Sequence, residues 1–255
     1  MDTSSYHSRQ IYIYPIKSGP PVRKQKLEWE DGCLKYDRYW MLAKPNGEFI
    51  TQRAFPQLNT LLMEEKEHSF ILMTHDARFP AIEFPKQMEA LDRLSVEIWG
   101  HQIDAYLTQK ELAQWMSDFL SEKIHVVFQP LRTKTVTKGN LDIQMLLNFQ
   151  DAYPIHVINT ASIQWLKEAC KKQLHPLQFR ANIYVDLKKA FVEDQINNIT
   201  INEIPFLKIK DCERCVMVNL HPGSDVFHKE PLATLSTYRR KGNYVHFGIY
   251  VKPEI

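Results

Sequence analysis

Along the first half of the chain, apolar and polar positions alternate in short runs that are broken by turn-forming residues. "IYIYPIK" (11–17) is rich in β-branched and aromatic residues, and "RYWMLAKPNGEFITQ" (38–52) sets Pro45-Asn46-Gly47 between two such runs. "LSVEIWGHQIDAYL" (94–107) repeats the device with Gly100-His101. Short alternating runs joined by turn residues predict hairpins, and so a mostly antiparallel beginning. One segment has another period. In "QKELAQWMSDFLSEK", Leu112, Trp115, Met116, Phe119 and Leu120 fall at i, i+3, i+4, i+7 and i+8, which puts all five on one helical face. That stripe is read as packing.

After "IHVVFQP", the polar run "LRTKTVTKGNLDIQ" (131–144) reads as a loop or linker, and the pattern restarts beyond it. "YPIHVIN" is strand-like. "TASIQWLKEACKKQL" is helical, with Thr160 as N-cap and Ile163, Leu166, Cys170 and Leu174 on its inner face, which makes Cys170 a core residue. "RANIYVDL", "ITINEIPFLKIK", "ERCVMVNL" and "YVHFGIYVK" follow as four β-rich segments. The expected fold is mainly β with a few helices (α+β): two packed β-barrel-like domains over residues 9–128 and 132–252.

Composition narrows the class without naming a chemistry. A chain of 255 residues with 44% hydrophobic and 24% charged side chains buries a proper core. The formal net charge is +2 and the two signs are interspersed, so neither a nucleic-acid nor a membrane surface is expected, and any anion site must be local. No apolar run approaches the roughly 18 residues of a membrane span, and "MDTSSYHSRQIYIYPIK" lacks the layout of a secretory signal. The expectation is a monomeric cytoplasmic protein with reduced thiols at 33, 170, 212 and 215.

Two of those thiols stand three positions apart in "KDCERCVMVNLHPG". A structural zinc would need two more ligands, and His221 and His228 follow at spacings that match no common finger. A redox pair would open a helix, whereas Val216, Met217 and Val218 read as a continuing strand. A single thiolate bound to a soft metal and a buried inert cysteine both stay open on these residues. Nucleotide-binding glycine loops, zincin motifs and nucleophile elbows are absent from the sequence. What remains is a set of cations beside small polar residues: Lys17-Ser18, Arg38 in "YDRYW", and Arg180 with Asn182 in "FRANIYV". If they converge they form a phosphate pocket, since Arg offers a fork to phosphate oxygens and Lys a point charge.

In order and spacing these pieces resemble the MOSC family, named for the molybdenum cofactor sulfurase C-terminal domain, in its two-domain form with an N-terminal β-barrel module. The resemblance rests on "YPIKS", "YDRYWMLAKPNGEFITQRAFPQL", "YPIHVINTASIQWL", "FRANIYV", "CERCVMVNLHP", "KEPLATLSTYRR" and "FGIYV". It implies binding of molybdenum cofactor (Mo-molybdopterin), with Lys17, Ser18, Arg38, Arg180 and Asn182 holding pterin and phosphate. In the amidoxime-reducing branch it further implies Cys215 as metal ligand and catalytic residue, reduction of N-hydroxylated or N-oxygenated small molecules, and a separate electron-carrier protein. A sulfur carrier using a cysteine persulfide and a non-catalytic cofactor-binding module are the alternatives. The sequence departs from the family pattern at Ala181, where Pro is usual, and at His221, where Asp is usual. It stops at "VKPEI" before the family's closing Gly-x-Ile-x-x-Gly-Asp strand. Glu230 and Arg239 are expected to pair.

Overall fold

The computed structural model describes residues 5–254 except 131, 133, 139 and 140, with the backbone alone for Ser5 and for 134–138 and 141–144. Among the described residues the fold is mostly β, with three α-helices, Lys110–Leu120 (α1), Thr160–Cys170 (α2) and Leu232–Tyr238 (α3). The largest sheet runs 5–6, 198–201, 204–214, 244–253, 155–159, 183–185, 8–13, 22–24 in spatial order. Its strands come from both ends of the chain. Ile11 stands opposite Ile183, and Val157 stands between Ile183 and Ile249. The first strands of the protein are therefore hydrogen-bonded into the sheet of the second half. Between these ends lie a four-stranded sheet of Trp40–Ala43, His125–Phe128, His101–Leu107 and Arg93–Ile98, and a three-stranded meander of Leu61–Glu65, Ser69–Thr74 and Ile82–Pro85.

Burial follows the alternation that the sequence shows. Ile11 and Ile13 face the core while Tyr12 between them is half-buried, and the four residues Trp40–Ala43 are covered on both faces. One apolar cluster joins the halves, with Ile13, Ile16, Trp40 and Leu42 packed in the same core as Ile155, Val157, Ile183 and Ile249. Trp40 sits at its centre, edge-on to Phe70 and Phe84 at centroid distances of 5.7 and 5.5 Å. The expected stripe of α1 is the buried one, Leu112, Trp115, Met116, Phe119 and Leu120, each worth on the order of 2 kcal/mol of burial.

Five local expectations need correction. The polar run after residue 130 forms a hairpin, with Lys134–Lys138 antiparallel to Leu141–Leu147, because β-branched Thr135, Val136 and Thr137 suit a strand despite their polarity. The cap of α2 is Asn159, one residue before the expected Thr160, with its Oδ1 accepting from Ala161 N at 3.1 Å. That helix ends at Cys170 with Lys171 left-handed, so Leu174 is buried from the following loop and Cys170 is only half-buried. Residues Val216–Asn219 make a 3₁₀ turn instead of continuing the strand. Arg239, finally, pairs with Asp194, while Glu230 Oε2 accepts from Thr234 N.

Candidate functional site

Four backbone segments meet where the two halves touch. Arg38 N donates to Tyr14 O, Lys17 N to Trp40 O, Phe149 N to Arg38 O, and Asn182 N to His156 O, all between 2.7 and 3.0 Å. At their junction is Asp37, fully buried. Its Oδ1 accepts from Tyr14 N at 2.8 Å, from Asn182 Nδ2 at 3.1 Å and from Arg38 Nη1 at 2.6 Å. Its backbone oxygen takes the side-chain amides of Asn148 and Gln150. A buried carboxylate with this many donors costs little, and it fixes the guanidinium beside it.

The site residues expected from the sequence are brought together. Lys17, Ser18, Arg38, Arg180, Asn182 and Cys215 all line one cleft of about 240 Å³. Ser18, Arg38 and Arg180 have φ of 63°, 48° and 52°, left-handed backbone that non-glycine residues rarely adopt and that concentrates at ligand sites. Both guanidinium carbons, of Arg38 and Arg180, lie 4.4 Å from the Tyr14 ring centroid, and Arg180 Nη1 donates to Gly19 O at 2.8 Å. Burial works against the charge of each, but for Arg38 the charge and hydrogen bond of Asp37, with Tyr14 and Asp151, together outweigh it, and its pKa is raised. Arg180 is left with burial and the repulsion of Arg38, which pull its pKa down to about 10. Burial pushes the Tyr14 hydroxyl up to about 12 against the pull of Arg180 and Arg38.

Lys17 is almost fully covered, with Nζ 2.9 Å from Phe149 O and 2.5 Å from Asp151 Oδ1. Burial lowers its pKa and Asp151 opposes the shift. Against the desolvation of the cleft, the Lys17 charge and bonds from Lys17 and Trp99 hold the Asp151 carboxyl well below the usual carboxylate range. Asn182 spends its amide internally: Oδ1 accepts from His156 N, and Nδ2 donates to Tyr12 O and Asp37. It acts on the cleft by holding Asp37.

The two neighbouring cysteines part company. Cys212 is buried on the strand Ile204–Arg214, with Sγ accepting from Arg214 Nη1 at 3.0 Å. A register shift between Asp211 and Glu213 interrupts the ladder with Tyr244–Pro253. Cys215, just past the strand end, is exposed in the cleft, with Arg53 Nη2 3.9 Å from its Sγ. Among the described residues no group of three or more His, Cys, Asp or Glu side chains is placed to hold a metal ion, so the zinc reading finds no ligand set.

Sequence reasoning missed much of the lining. Arg53 was not expected there; with Arg214, the cation next to Cys215 in sequence, it raises the cations of the cleft to five, against the carboxylates of Asp151 and Glu213. Glu213 is spoken for by Lys210 at 2.7 Å. His156 lines the wall with Nε2 buried and unbonded, and burial, then Arg214 and Arg38, push its pKa well below 6.5. Asp37 and Arg53 lie inside stretches already singled out, "YDRYW" and "TQR", but nothing local marks their roles. An excess of positive charge around one exposed thiol can take a polyanion that carries a thiophilic centre.

The family model described as the MOSC N-terminal beta barrel domain matches residues 7–123, and that of the MOSC domain matches residues 145–254. The chain belongs to the MOSC family in its two-domain form. It is 29% identical over 272 residues to the molybdenum cofactor sulfurase of Oryza sativa subsp. japonica, covering 98% of this chain and 33% of that protein. It is 28% identical over 243 residues to mitochondrial amidoxime reducing component 2 of Rattus norvegicus, covering 90% and 71%. To mitochondrial amidoxime-reducing component 1 of Homo sapiens it is 26% identical over 245 residues, covering 91% and 71%. The chain thus spans a third of the sulfurase and the greater part of the reducing components. No helix among the described residues is long and apolar enough to cross a membrane.

Proposed function

We propose that the protein is a molybdenum cofactor-dependent reductase of N-hydroxylated or N-oxygenated small molecules. The observation that carries this reading is the exposed thiol of Cys215 in the same cleft as Lys17, Arg38 and Arg180. The donor set fits the group: guanidinium forks and an ammonium for its phosphate, a soft thiolate for its metal. Bound there, the cofactor supplies two-electron oxygen-atom chemistry that side chains lack. The chain's part is to hold it. Lys17 Nζ, Ser18 and the guanidiniums of Arg38 and Arg180 bind pterin and phosphate, Asp37 and Asn182 orient Arg38, and Cys215 Sγ ligates the metal. Conversion of an N-hydroxy group to N–H and water consumes two electrons and two protons. The sequence has no cysteine run for an iron–sulfur cluster, so a separate carrier protein delivers the electrons. Unpaired cysteines throughout suit a reducing, cytoplasmic setting, with the protein acting as a monomer.

The likeness to a sulfurase over 98% of this chain supports a second reading, in which Cys215 carries a persulfide. Protein from a host that makes the cofactor separates the two. Near-stoichiometric molybdenum and pterin that fall in Cys215→Ser, together with loss of N-hydroxy reduction and an unchanged fold, support the reductase. An added sulfur of mass 32 on Cys215 without reduction supports the carrier. Bound cofactor with neither activity means a non-catalytic module, and full activity in Cys215→Ser removes the thiolate from the mechanism.

A further inference from the structure

Trp99 occupies a position that the fold itself does not favour. It is the first of two residues joining the strands Arg93–Ile98 and His101–Leu107, with Ile98 opposite His101. Trp99 and Gly100 both have positive φ, 52° and 80°, the pattern of a type I′ turn. Such a turn prefers Asn, Asp or Gly first, and a bulky side chain there is an outlier. The indole is also half exposed. Local folding therefore gives no reason for Trp here, and an outlier of this kind points to use.

Its surroundings show the use. Trp99 Nε1 donates to Asp151 Oδ1 at 2.9 Å, and the ring packs edge-on with Phe49 at 5.1 Å, so the indole is fixed at the cleft with half of its surface still open. The Arg53 guanidinium lies 5.4 Å from the ring centroid and reaches the Cys215 thiol with its other end. Arg53 is exposed, carries five N–H donors in a planar fork, and meets the thiol at a distance that leaves those donors weakly used. A flat aromatic surface beside a charged donor, both at the reacting end of the cleft, matches a planar molecule bearing an electronegative oxygen.

We propose that Trp99 and Arg53 form the substrate-selecting edge of the cleft, Trp99 stacking on a planar aromatic substituent and Arg53 donating to the oxygen of the N-oxygenated group. The assignment rests on the reductase reading above. It makes the protein prefer aromatic over small aliphatic N-hydroxy amidines.

The test is calorimetric binding of N-hydroxybenzamidine and N-hydroxyacetamidine, which share a head group, to molybdenum-loaded protein without reductant. In Trp99→Asn, which suits the turn, the Kd of the aromatic compound should rise about five- to tenfold and that of the methyl compound less than about twofold. Molybdenum content and melting temperature should match the wild type. Arg53→Gln should weaken both compounds by a similar factor, about tenfold or more. Equal losses, or none, in Trp99→Asn overturn the edge while the reductase reading stands. A molybdenum-loaded wild type that binds neither compound overturns that reading and the edge with it.

Discussion

The floor and the edge of the cleft are built on opposite plans. On the floor, Asp37 is fully buried and its carboxylate ties Tyr14, Arg38 and Asn182, residues from three separate segments. At the edge, Arg53 and Cys215 are exposed, and a 3.9 Å contact is all that links them. The floor is preorganised, with its polar groups set before any ligand arrives, and preorganised groups hold charge at little cost in reorganisation. The edge keeps its donors for something else. The same kind of substitution therefore has large effects on stability below and small ones above.

The largest effect is expected at Asp37. Asp37→Ala strips Arg38 of its counter-charge, with Arg180 close by, leaves the Tyr14 amide without its acceptor and leaves the Asn182 amide group with Tyr12 O alone. Breaking a buried ion pair from one side costs about 3–5 kcal/mol. Urea unfolding should show that loss, whereas Arg53→Ala should stay within about 0.5 kcal/mol of wild type. A loss below about 1 kcal/mol at Asp37 would mean that the floor is not organised around its carboxylate.

How much of this could be read in advance differs between the same two regions. The stripe of α1 was legible because a period of 3.6 is a local signal, and the hairpin at Gly100 because turn residues announce it. Lys17, Arg38, Arg180 and Cys215 stood out as cations and a thiol in ordered motifs. Their meeting in one cleft depends on Ser8–Ile13 pairing with Ile183–Val185, a contact about 170 residues long that no local pattern encodes. Asp37 was hidden for the same reason, since its partner Asn182 is 145 positions away. Trp99 escaped notice because the expected turn was Gly100-His101, which left Trp99 at a strand end; the structure turns one residue earlier, at Trp99-Gly100, with His101 already paired to Ile98. The strand expected at Val216–Val218 failed because β-branched residues suit a strand anywhere, and here the sheet had already ended at Arg214.

His156 sharpens the comparison through pH. It is buried on the cleft wall, its Nε2 is unbonded, and Arg214 and Arg38 add to the burial that keeps it neutral. In the unfolded chain it titrates near 6.5. Below that value the unfolded state binds a proton that the folded state refuses, so stability falls as pH falls, by up to about 1.4 kcal/mol per pH unit. His156→Gln should remove this slope. The difference between the two proteins, followed by urea unfolding from pH 7.5 to 5, isolates His156 from His175 and His246, whose pKa values are also lowered by burial. Parallel curves would mean that the ring takes up its proton without leaving the wall.

The smallest effects are expected at the two cysteines, and there the contrast is cleanest because three positions separate them. Cys212 is covered, and its Sγ accepts from Arg214 Nη1, whose guanidinium also donates to Phe179 O. Arg214 Nε already lacks a partner, so Cys212→Ala takes a contact from a guanidinium that has none to spare. That and the lost packing should cost about 1–2 kcal/mol. Cys215→Ala removes an exposed sulfur and should change stability by less than about 0.5 kcal/mol. A thiol reagent should modify Cys215 in the folded, cofactor-free protein far faster than Cys212, since only one of them meets solvent. Equal rates would place both sulfurs on the same side of the strand, and the division between a structural and a chemical cysteine would fall.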